Sequence, residues 1–272
     1  EIIFPIRQDG LKARAYAGTT YLVSASTIAG MPYASTGDPW KCMFARENMV
    51  EKFFPNKKDI PMATVGDVLK NPSKEEVIAK DSEKGYGTAD VIAKAGDDRA
   101  LLYMGVGGCE EGKVRTINPG EAITGPLNGA SFVKWSNLHA DGTTQHDQNY
   151  SDTDFPVFRL AEIYLTRAEA KYRLGQDGLD DILKVQDRAN RVSKATSVDE
   201  QTLIDEWCRE FYMEGRRRSD LVRFGLFTGS KYLWSFKGGA ENGAGIPAYY
   251  DVYPIPDNEI KNNPNMHQNP KY

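Results

Sequence analysis

The 272-residue sequence contains no apolar run approaching the roughly 20 residues of a membrane-spanning helix. Its three cysteines, Cys42, Cys109 and Cys208, are far apart and form no CxxC pair, so neither a disulfide framework nor a zinc site is indicated. An excess of basic residues is also missing. The net charge of −4 argues against a nucleic-acid-binding protein, which usually carries a basic face.

Catalytic motifs are lacking as well: there is no GxSxG, HExxH, P-loop or Rossmann glycine pattern. His139 and His146 share a polar loop with several aspartates, which offers oxygen and nitrogen ligands to a metal. The stretch DQNYSDTD, however, lacks the central glycine and the closing glutamate of an EF-hand. We therefore predict a solvated acidic loop without metal or cofactor. Paired carboxylates for glycoside hydrolysis stay open, because any two of the 38 acidic residues can meet in space.

The amino-terminal half reads as loops with a few short elements. The opening EIIFPIRQDG has the pattern of a buried strand over residues 1–9 and no initiator methionine, which suggests a cleaved or trimmed piece. Residues 10–61 predict loops and short helices, and 62–84 predict helix with a Ser73–Glu76 capping box. Further strands are predicted over 98–104 and 130–136.

The texture changes at Phe155, where FPVFRLAEIYLTRAEAKYRLG follows a four-residue apolar spacing that predicts an amphipathic helix. Its predicted apolar face is Leu160, Tyr164, Ala168 and Tyr172. A second helix with Ile182, Val185 and Ala189 on one face completes a pair of the length of a tetratricopeptide repeat. One repeat cannot bury its own faces, so we expect this chain to be part of a larger protein.

A third helical block covers residues 199–228, with Ser197 and Glu200 as a predicted capping box. Three glutamates precede the arginine block 216–223. This arrangement indicates either a solvated face with weak ion pairs or a partly buried network that locks two helices at Gly215. The three glutamates are Glu206, Glu210 and Glu214.

The last twenty residues, YPIPDNEIKNNPNMHQNPKY, have the composition of a disordered tail. Four prolines nevertheless lower the entropy cost of ordering them. Tyr253, Ile255, Ile260 and Met266 are spaced like anchors, so we predict an ordered extended segment.

Four stretches together resemble the SusD/RagB family of surface glycan-binding lipoproteins. They are EIIFPI, FRLAEIYLTRAEA, EFYMEGRRRSDLVRFG and the terminal YPIPDNEIKNNPNMHQNPKY. The resemblance implies the carboxy-terminal half of a family member, with the lipid anchor and the first repeats in the missing amino-terminal half. It also implies an outer-membrane, cell-surface location and a TonB-dependent, SusC-like transporter as partner. Arg218 and Ser219 depart from the family, which usually has two aromatic residues there, and we expect weaker local packing.

The expected fold is mostly α, with a tetratricopeptide-like helical repeat body and a loop-rich, minor-β ligand-binding region. Residues 1–154 form the loop-rich region and 155–228 the helical core. Residues 229–272 form a loop and an extended carboxy-terminal strap over the helical body.

Aromatic residues in the loop-rich region are the candidate glycan site, because a sugar stacks its C–H face on an aromatic ring. The resemblance points to Trp40, Tyr16 and Tyr33 as ligand-facing residues. Trp40 follows a Gly-Asp-Pro turn and interrupts no helical stripe, although it could instead pack onto the body. Trp135 and Trp207 are predicted to lie in the core, with Trp234 intermediate.

The function implied is non-catalytic binding of an oligosaccharide or polysaccharide for delivery to the transporter. A glycan-active hydrolase that uses loop carboxylates is one alternative. A structural repeat adaptor that binds a protein partner and no sugar is another. The resemblance does not separate a glycan from a peptide ligand.

Overall fold

The computed structural model describes residues 1–32, 35–118 and 127–272. Helices predominate over strands in this part of the chain, as the sequence predicts, and the chain divides into two compact units, Glu1–Glu214 and Gly215–Tyr272. The helices of the first unit are α1 (Thr19–Ser26), α2 (Glu47–Val50), α3 (Lys74–Lys84), α4 (Thr88–Ala95), α5 (Leu160–Arg173), α6 (Leu179–Arg188) and α7 (Glu200–Phe211). Its strands are β1 (Ile2–Ile6), β2 (Phe44–Ala45), β3 (Leu102–Tyr103), β4 (Ala130–Phe132) and β5 (Phe155–Arg159). The second unit contains α8 (Arg217–Arg223) and α9 (Asp257–Asn262). Short 3₁₀ helices occur at Lys57–Asp59 and Val65–Asp67 in the first unit and at Lys237–Gly239 and Ala248–Asp251 in the second.

A small antiparallel sheet in the order β2-β4-β3 organises one core of the first unit. Phe44 pairs with Ser131, and Leu102 pairs with Phe132. The strands at 98–104 and 130–136 are thereby confirmed, although each is shorter than predicted. α4 was not foreseen, yet its Val91 is buried in this core. The other buried members include Val50, Phe53, Phe54, Ala100, Met104, Ala130 and Tyr212.

The helical pair α5–α6 is present, and α7 also contacts α5. Ile182 and Val185 of α6 are buried as predicted, but the buried face of α5 is rotated from the predicted one. Ala168 of the predicted stripe is fully buried, but so is Leu165, which lies outside the stripe, whereas Leu160 of the stripe is exposed. The four-residue spacing therefore identified the helix but only part of the side that packs.

Residues 155–159 form a strand, not the start of α5. Pro156 disfavours helical backbone at the residue before it, and the segment pairs with β1 instead. The resulting two-stranded ribbon is open to solvent, with Ile2, Phe4 and Ile6 all more than half exposed. The prediction of a buried first strand is wrong for this chain, because no third element of the described residues pairs with the ribbon.

The helix caps show where local sequence rules hold. Ser73 Oγ accepts from the backbone N–H of Glu76, whose carboxylate accepts from the N–H of Ser73, which confirms that capping box. The Ser197–Glu200 box is wrong. Asp199 caps α7 by accepting from the N–H of Thr202 at 2.6 Å, because the helix begins at Glu200.

A buried ion network supports the helical body. Arg99 donates to Glu206 at 2.6 Å and to Glu210 at 3.0 Å, while Arg159 binds both Glu210 and Glu214. Glu206 and Glu210 are buried, so the interpretation of a solvated face is wrong and that of a buried network is supported. The arginine partners of these glutamates, Arg99 and Arg159, lie far away in sequence, whereas the sequence pattern had pointed to the adjacent arginine block 216–223. Lys134, Arg188 and Arg209 are further members.

Hydrogen bonds from its own side chains hold the carboxy-terminal segment of the second unit in a fixed conformation. Gln268 accepts from the N–H of Ile255 and donates to its carbonyl, each at 2.8 Å. The Tyr272 hydroxyl donates to the carbonyl of Val252. Arg218 stacks on the ring of Tyr253 at 3.7 Å and on a phenylalanine, so the guanidinium packs where weaker packing was expected. That this carboxy-terminal segment forms a strap over the helical body stays a prediction.

Candidate functional site

The turn that carries Trp40 is fixed against the end of α1. The N–H of Trp40 donates to the carbonyl of Ser24 at 2.8 Å, and the N–H of Cys42 donates to that of Ala25 at 2.9 Å. The indole Nε1–H donates to Asp38 Oδ2 at 2.7 Å. Trp40 is thus half-buried on the outside of α1, with its indole polar group already satisfied by the turn that precedes it.

Two tyrosine rings neighbour Trp40, and a third tyrosine contacts one of them. The ring centroids of Tyr16 and Trp40 are 6.3 Å apart, those of Tyr21 and Trp40 5.6 Å, and those of Tyr16 and Tyr150 4.8 Å. The planes of these pairs are inclined by 36°, 63° and 43°. We call Tyr16, Tyr21, Trp40 and Tyr150 the aromatic platform. Its rings face in several directions, and Tyr16 and Tyr21 are exposed.

Polar groups border the platform on the side of Tyr150. The Arg14 guanidinium lies 4.6 Å from the centroid of the Tyr150 ring, and its Nη1 is 3.7 Å from Asp147 Oδ2. Backbone N–H groups of Asn149 and Tyr150 bind the Asp147 carboxylate and lower its pKa. Asp147 is therefore ionised at neutral pH. Arg14 and Asp147 together supply hydrogen-bond donors and acceptors beside the half-buried Tyr150 ring.

The loop 137–154 delivers Tyr150 to the platform. Asn137, itself buried, donates from Nδ2 to the carbonyls of Asp147 at 2.9 Å and Tyr150 at 3.2 Å. A hydrogen bond from the N–H of Gly37 to the carbonyl of Gln148 ties this loop to the turn before Trp40. A hydrogen bond between the Tyr150 and Tyr16 hydroxyls raises the pKa of Tyr16, so the Tyr16 ring stays uncharged at neutral pH. The arrangement can stack a flat apolar ring face and bind its hydroxyl rim.

Comparisons with known proteins show the family to which this chain belongs. The model of the SusD family matches residues 1–272. The chain belongs to the SusD family. It is 53% identical over 277 residues to the starch-binding protein SusD of Bacteroides thetaiotaomicron. That match takes in all of this chain but 49% of SusD, so the chain spans about half the length of this curated relative.

Solved structures support the same family fold. Surface glycan-binding protein A from Bacteroides thetaiotaomicron matches 99% of this chain and 52% of its own, with a TM-score of 0.57 at 17% identity. A SusD-like protein from Bacteroides fragilis NCTC 9343 matches 100% of this chain and 54% of its own, with the same TM-score at 16% identity. At these identities the likeness shows the fold alone. The expected mostly helical, SusD-like fold is thus confirmed.

Two of the three residues predicted from the SusD/RagB resemblance, Trp40 and Tyr16, lie together in the structure. Tyr33 lies outside the described residues. Sequence reasoning missed Tyr21 and Tyr150. Tyr21 sits inside α1, and Tyr150 comes from a loop more than 100 residues further along the chain, so no local spacing joined them to Trp40.

The other tryptophans of this SusD-family chain differ in burial. Trp207 is buried and donates from Nε1 to Glu169 at 3.0 Å, as expected of a core residue. Trp135 is only half-buried, because it lies at a rim where it stacks on Phe155 and donates to the carbonyl of Met213. Trp234, half-buried in the second unit, stacks on a phenylalanine.

The acidic loop is more ordered than a solvated loop. Asp152 Oδ2 accepts from His139 Nε2 at 2.8 Å and from His146 Nδ1 at 3.1 Å. Across residues 1–32, 35–118 and 127–272, no group of three or more histidine, cysteine, aspartate or glutamate side chains is arranged to hold a metal ion. In the same ranges no helix has the length and apolarity to cross a bilayer.

Proposed function

We propose that this chain forms part of a cell-surface protein that binds glycan without cleaving it, for uptake across the outer membrane. The observation that carries the proposal is the aromatic platform, in which Trp40 and Tyr16 meet as a sugar-stacking site requires. Membership of the SusD family and 53% identity to a starch-binding protein support it.

The ligand class we propose is a starch-type α-glucan. A chain that curves presents successive sugar faces in different directions, and the mutually inclined rings of the platform offer faces in different directions. A flat, ribbon-like glucan would favour rings lying in one plane. The name of the SusD relative points to the same class.

Affinity electrophoresis with amylopectin, laminarin and a soluble cellulose derivative tests this proposal on the natural protein, in the length that the cell produces. Retardation by amylopectin without release of reducing ends is the expected result. Release of reducing ends would establish the hydrolase alternative. If no polysaccharide retards the protein, the proposed function is wrong, and the adaptor or peptide-binding alternative takes its place.

Delivery of the glycan to a TonB-dependent, SusC-like transporter, and a lipid anchor in a preceding segment, are further parts of the proposal. Both rest on the family to which the chain belongs. Isolation of the tagged natural protein from outer membranes should bring down a protein of the size of such a transporter. Recovery of the protein alone after mild extraction would contradict this partnership.

We also propose that another segment of the natural protein covers the exposed ribbon of β1 and β5. Ile3 and Phe4 are 58% and 56% exposed, and Phe158 opposite Phe4 is 50% exposed. Soluble proteins rarely leave so contiguous an apolar patch open. The relative with 53% identity is about twice as long as this chain, which leaves room for such a segment.

A further inference from the structure

The indole N–H of Trp40 is used inside its own turn. Nε1 lies 2.7 Å from Asp38 Oδ2, and this N–H is the single hydrogen-bonding group of an indole, which donates and does not accept. Trp40 therefore offers a sugar its ring face but no hydrogen-bond donor. What such a stacking contact contributes to affinity depends on how well the ring is oriented before the sugar arrives.

The backbone of Trp40 is already fixed, so only the two side-chain torsions remain to be set. Its N–H donates to the carbonyl of Ser24 at the end of α1, at 2.8 Å. The ring of Tyr21, also in α1, lies with its centroid 5.6 Å from that of the indole and is inclined to it by 63°. This ring contact limits where the indole can go, whereas the hydrogen bond to Asp38 ties one atom of the indole to one atom of the turn.

The acceptor is itself held in place by the turn. The N–H of Asp38 donates to Thr36 Oγ1 at 3.1 Å, and that oxygen lies 3.4 Å from Ser24 Oγ in α1. Pro39 follows directly, and its ring fixes its own φ and disfavours helical backbone at Asp38. The carboxylate is thus presented from a constrained turn that is anchored on the same helix end as Trp40.

The hydrogen bond between these two side chains lies at the surface. Asp38 is exposed and Trp40 is half-buried, so the bond contributes little to the stability of the fold. It nevertheless restricts the indole, and a free indole would have to be restricted by the bound sugar instead. Immobilising a side chain on binding opposes affinity, and a side chain that is fixed beforehand avoids that cost.

We propose that Asp38 is a positioning residue, which holds the Trp40 indole in its sugar-stacking orientation before the glycan binds. This inference rests on the proposed function for its binding readout. Asp38 strengthens binding through Trp40 and without touching the sugar. The platform then owes part of its affinity to a polar residue that carries no ring.

The binding test uses calorimetry with maltoheptaose on the natural protein. Asp38→Ala should bind about three- to tenfold more weakly, the effect of one side chain that has to be immobilised on binding. Asp38→Asn, which keeps an acceptor oxygen for the indole N–H, should recover most of this loss. Asp59→Ala, the matched control at another exposed aspartate of the first unit, should bind like the wild type. Equal affinity of Asp38→Ala and the wild type would overturn the inference.

A double-mutant cycle separates an action through Trp40 from a direct contact with the sugar. Trp40→Phe keeps a stacking ring but has no N–H for Asp38 to accept. In that background Asp38→Ala should weaken maltoheptaose binding by less than about twofold, because the partner through which Asp38 acts is gone. If the full loss persists in the Trp40→Phe background, Asp38 binds the sugar itself and is not a positioning residue.

A ligand-free measurement separates this inference from the proposed function. In ¹H–¹⁵N spectra the indole N–H of Trp40 should exchange with water faster in Asp38→Ala than in the wild type and in Asp38→Asn. Cross-relaxation between the Trp40 and Tyr21 rings should weaken in Asp38→Ala alone. An indole signal and ring contacts that are the same in all three proteins would contradict the role of Asp38. If the wild type does not bind maltoheptaose, the proposed function fails, and the spectra still decide whether Asp38 orients the indole.

Discussion

Trp40 and Trp207 are the same residue type in opposite settings. Trp207 lies in the middle of an apolar helix stripe and is 1% exposed, with its indole nitrogen bound to a buried glutamate. Trp40 follows a turn, stays half-buried and has two neighbouring rings within stacking distance. From this difference in surroundings we expect glycan affinity to depend on Trp40 and stability to depend on Trp207.

We predict that Trp40→Ala weakens binding of maltoheptaose by about ten- to a hundredfold, the loss of one stacking ring. Its free energy of unfolding should change by less than about 1 kcal/mol, since a residue outside the core contributes little. Calorimetry and urea unfolding on the same samples measure both quantities. Trp207→Phe is the matched control: it should cost about 1–3 kcal/mol of stability and leave the Kd unchanged. Full affinity combined with a large loss of stability in Trp40→Ala would place Trp40 in the core and remove it from the site.

Glu210 makes the stability of the helical body depend on pH. Burial by itself raises the pKa of this carboxyl, but Arg159, Arg99 and Arg188 outweigh burial and lower the pKa to about 2. A carboxyl whose pKa is lowered by folding stabilises the protein above its ordinary pKa near 4.5, and this contribution is lost as pH falls towards 2. The contribution at neutral pH is roughly 3 kcal/mol.

We therefore predict that the free energy of unfolding of the wild type falls more steeply between pH 5 and pH 2.5 than that of Glu210→Gln. The substitution should also cost about 3–5 kcal/mol at pH 7, because it leaves buried arginines without their counter-charge. Urea unfolding at several pH values gives both numbers. Glu75→Gln, on the exposed first turn of α3, should keep the wild-type slope. Parallel slopes for wild type and Glu210→Gln would show that the network does not depend on this charge.

At the scale of elements, the turn between α5 and α6 allows the two helices to approach closely. A Cβ atom on Gly178 would come within 2.7 Å of the backbone oxygen of Ala168 and 2.9 Å of its Cα. Both are backbone atoms, which cannot give way as a flexible side chain can. A glycine at position 178 is therefore a condition for the close approach of the two helices.

Gly178→Ala should consequently lower the free energy of unfolding by about 1–3 kcal/mol through overpacking. Gly66→Ala is the matched control, since the nearest atom to its added Cβ is the Thr64 hydroxyl at 4.0 Å and its backbone is unstrained. That control should stay within about 0.5 kcal/mol of the wild type. Thermal and urea unfolding of the two variants compare them directly. Equal stability of both variants would mean that α5 and α6 move apart at Gly178 without a cost in stability, which would contradict the prediction.

The helices also show which structural features the periodicity of apolar residues predicts and which it does not. Spacing of apolar residues located α5, α6 and α7, and the three residues that it indicated for the second helix, Ile182, Val185 and Ala189, are all buried. For α5 it was right only in part: Ala168 of the predicted stripe is buried, but Leu165 and Ala161, one position away from that stripe, are buried as well. Which flank of a helix packs is decided by its partners, and α5 has α6 and α7 as neighbours while other apolar residues on it stay exposed.

For the whole molecule, the exposed β1–β5 ribbon leads to a prediction that compares two lengths of the protein. In the 272-residue chain, Phe4→Ala should change the free energy of unfolding by less than about 0.5 kcal/mol, because Phe4 is more than half exposed. In the natural protein the same substitution should cost about 3 kcal/mol or more if a further segment buries it. Urea unfolding of both forms measures the difference. Ile78→Ala, at an exposed position on α3, should have a small effect in both. A small effect of Phe4→Ala in the natural protein would mean that the ribbon stays uncovered.

The sequence by itself determined the family, the predominance of helix, the helical pair and the two residues Trp40 and Tyr16 of the platform. The helical features follow from local apolar spacing, whereas the family and the two residues follow from the resemblance that the four quoted stretches carry. Only the tertiary structure brought Tyr150 to Tyr16, paired Glu210 with Arg99 and Arg159, and turned the opening strand outward. Each of these contacts joins segments 50 to 150 residues apart or depends on what covers a surface. No local pattern encodes such contacts, because they are set by the packing of the whole chain.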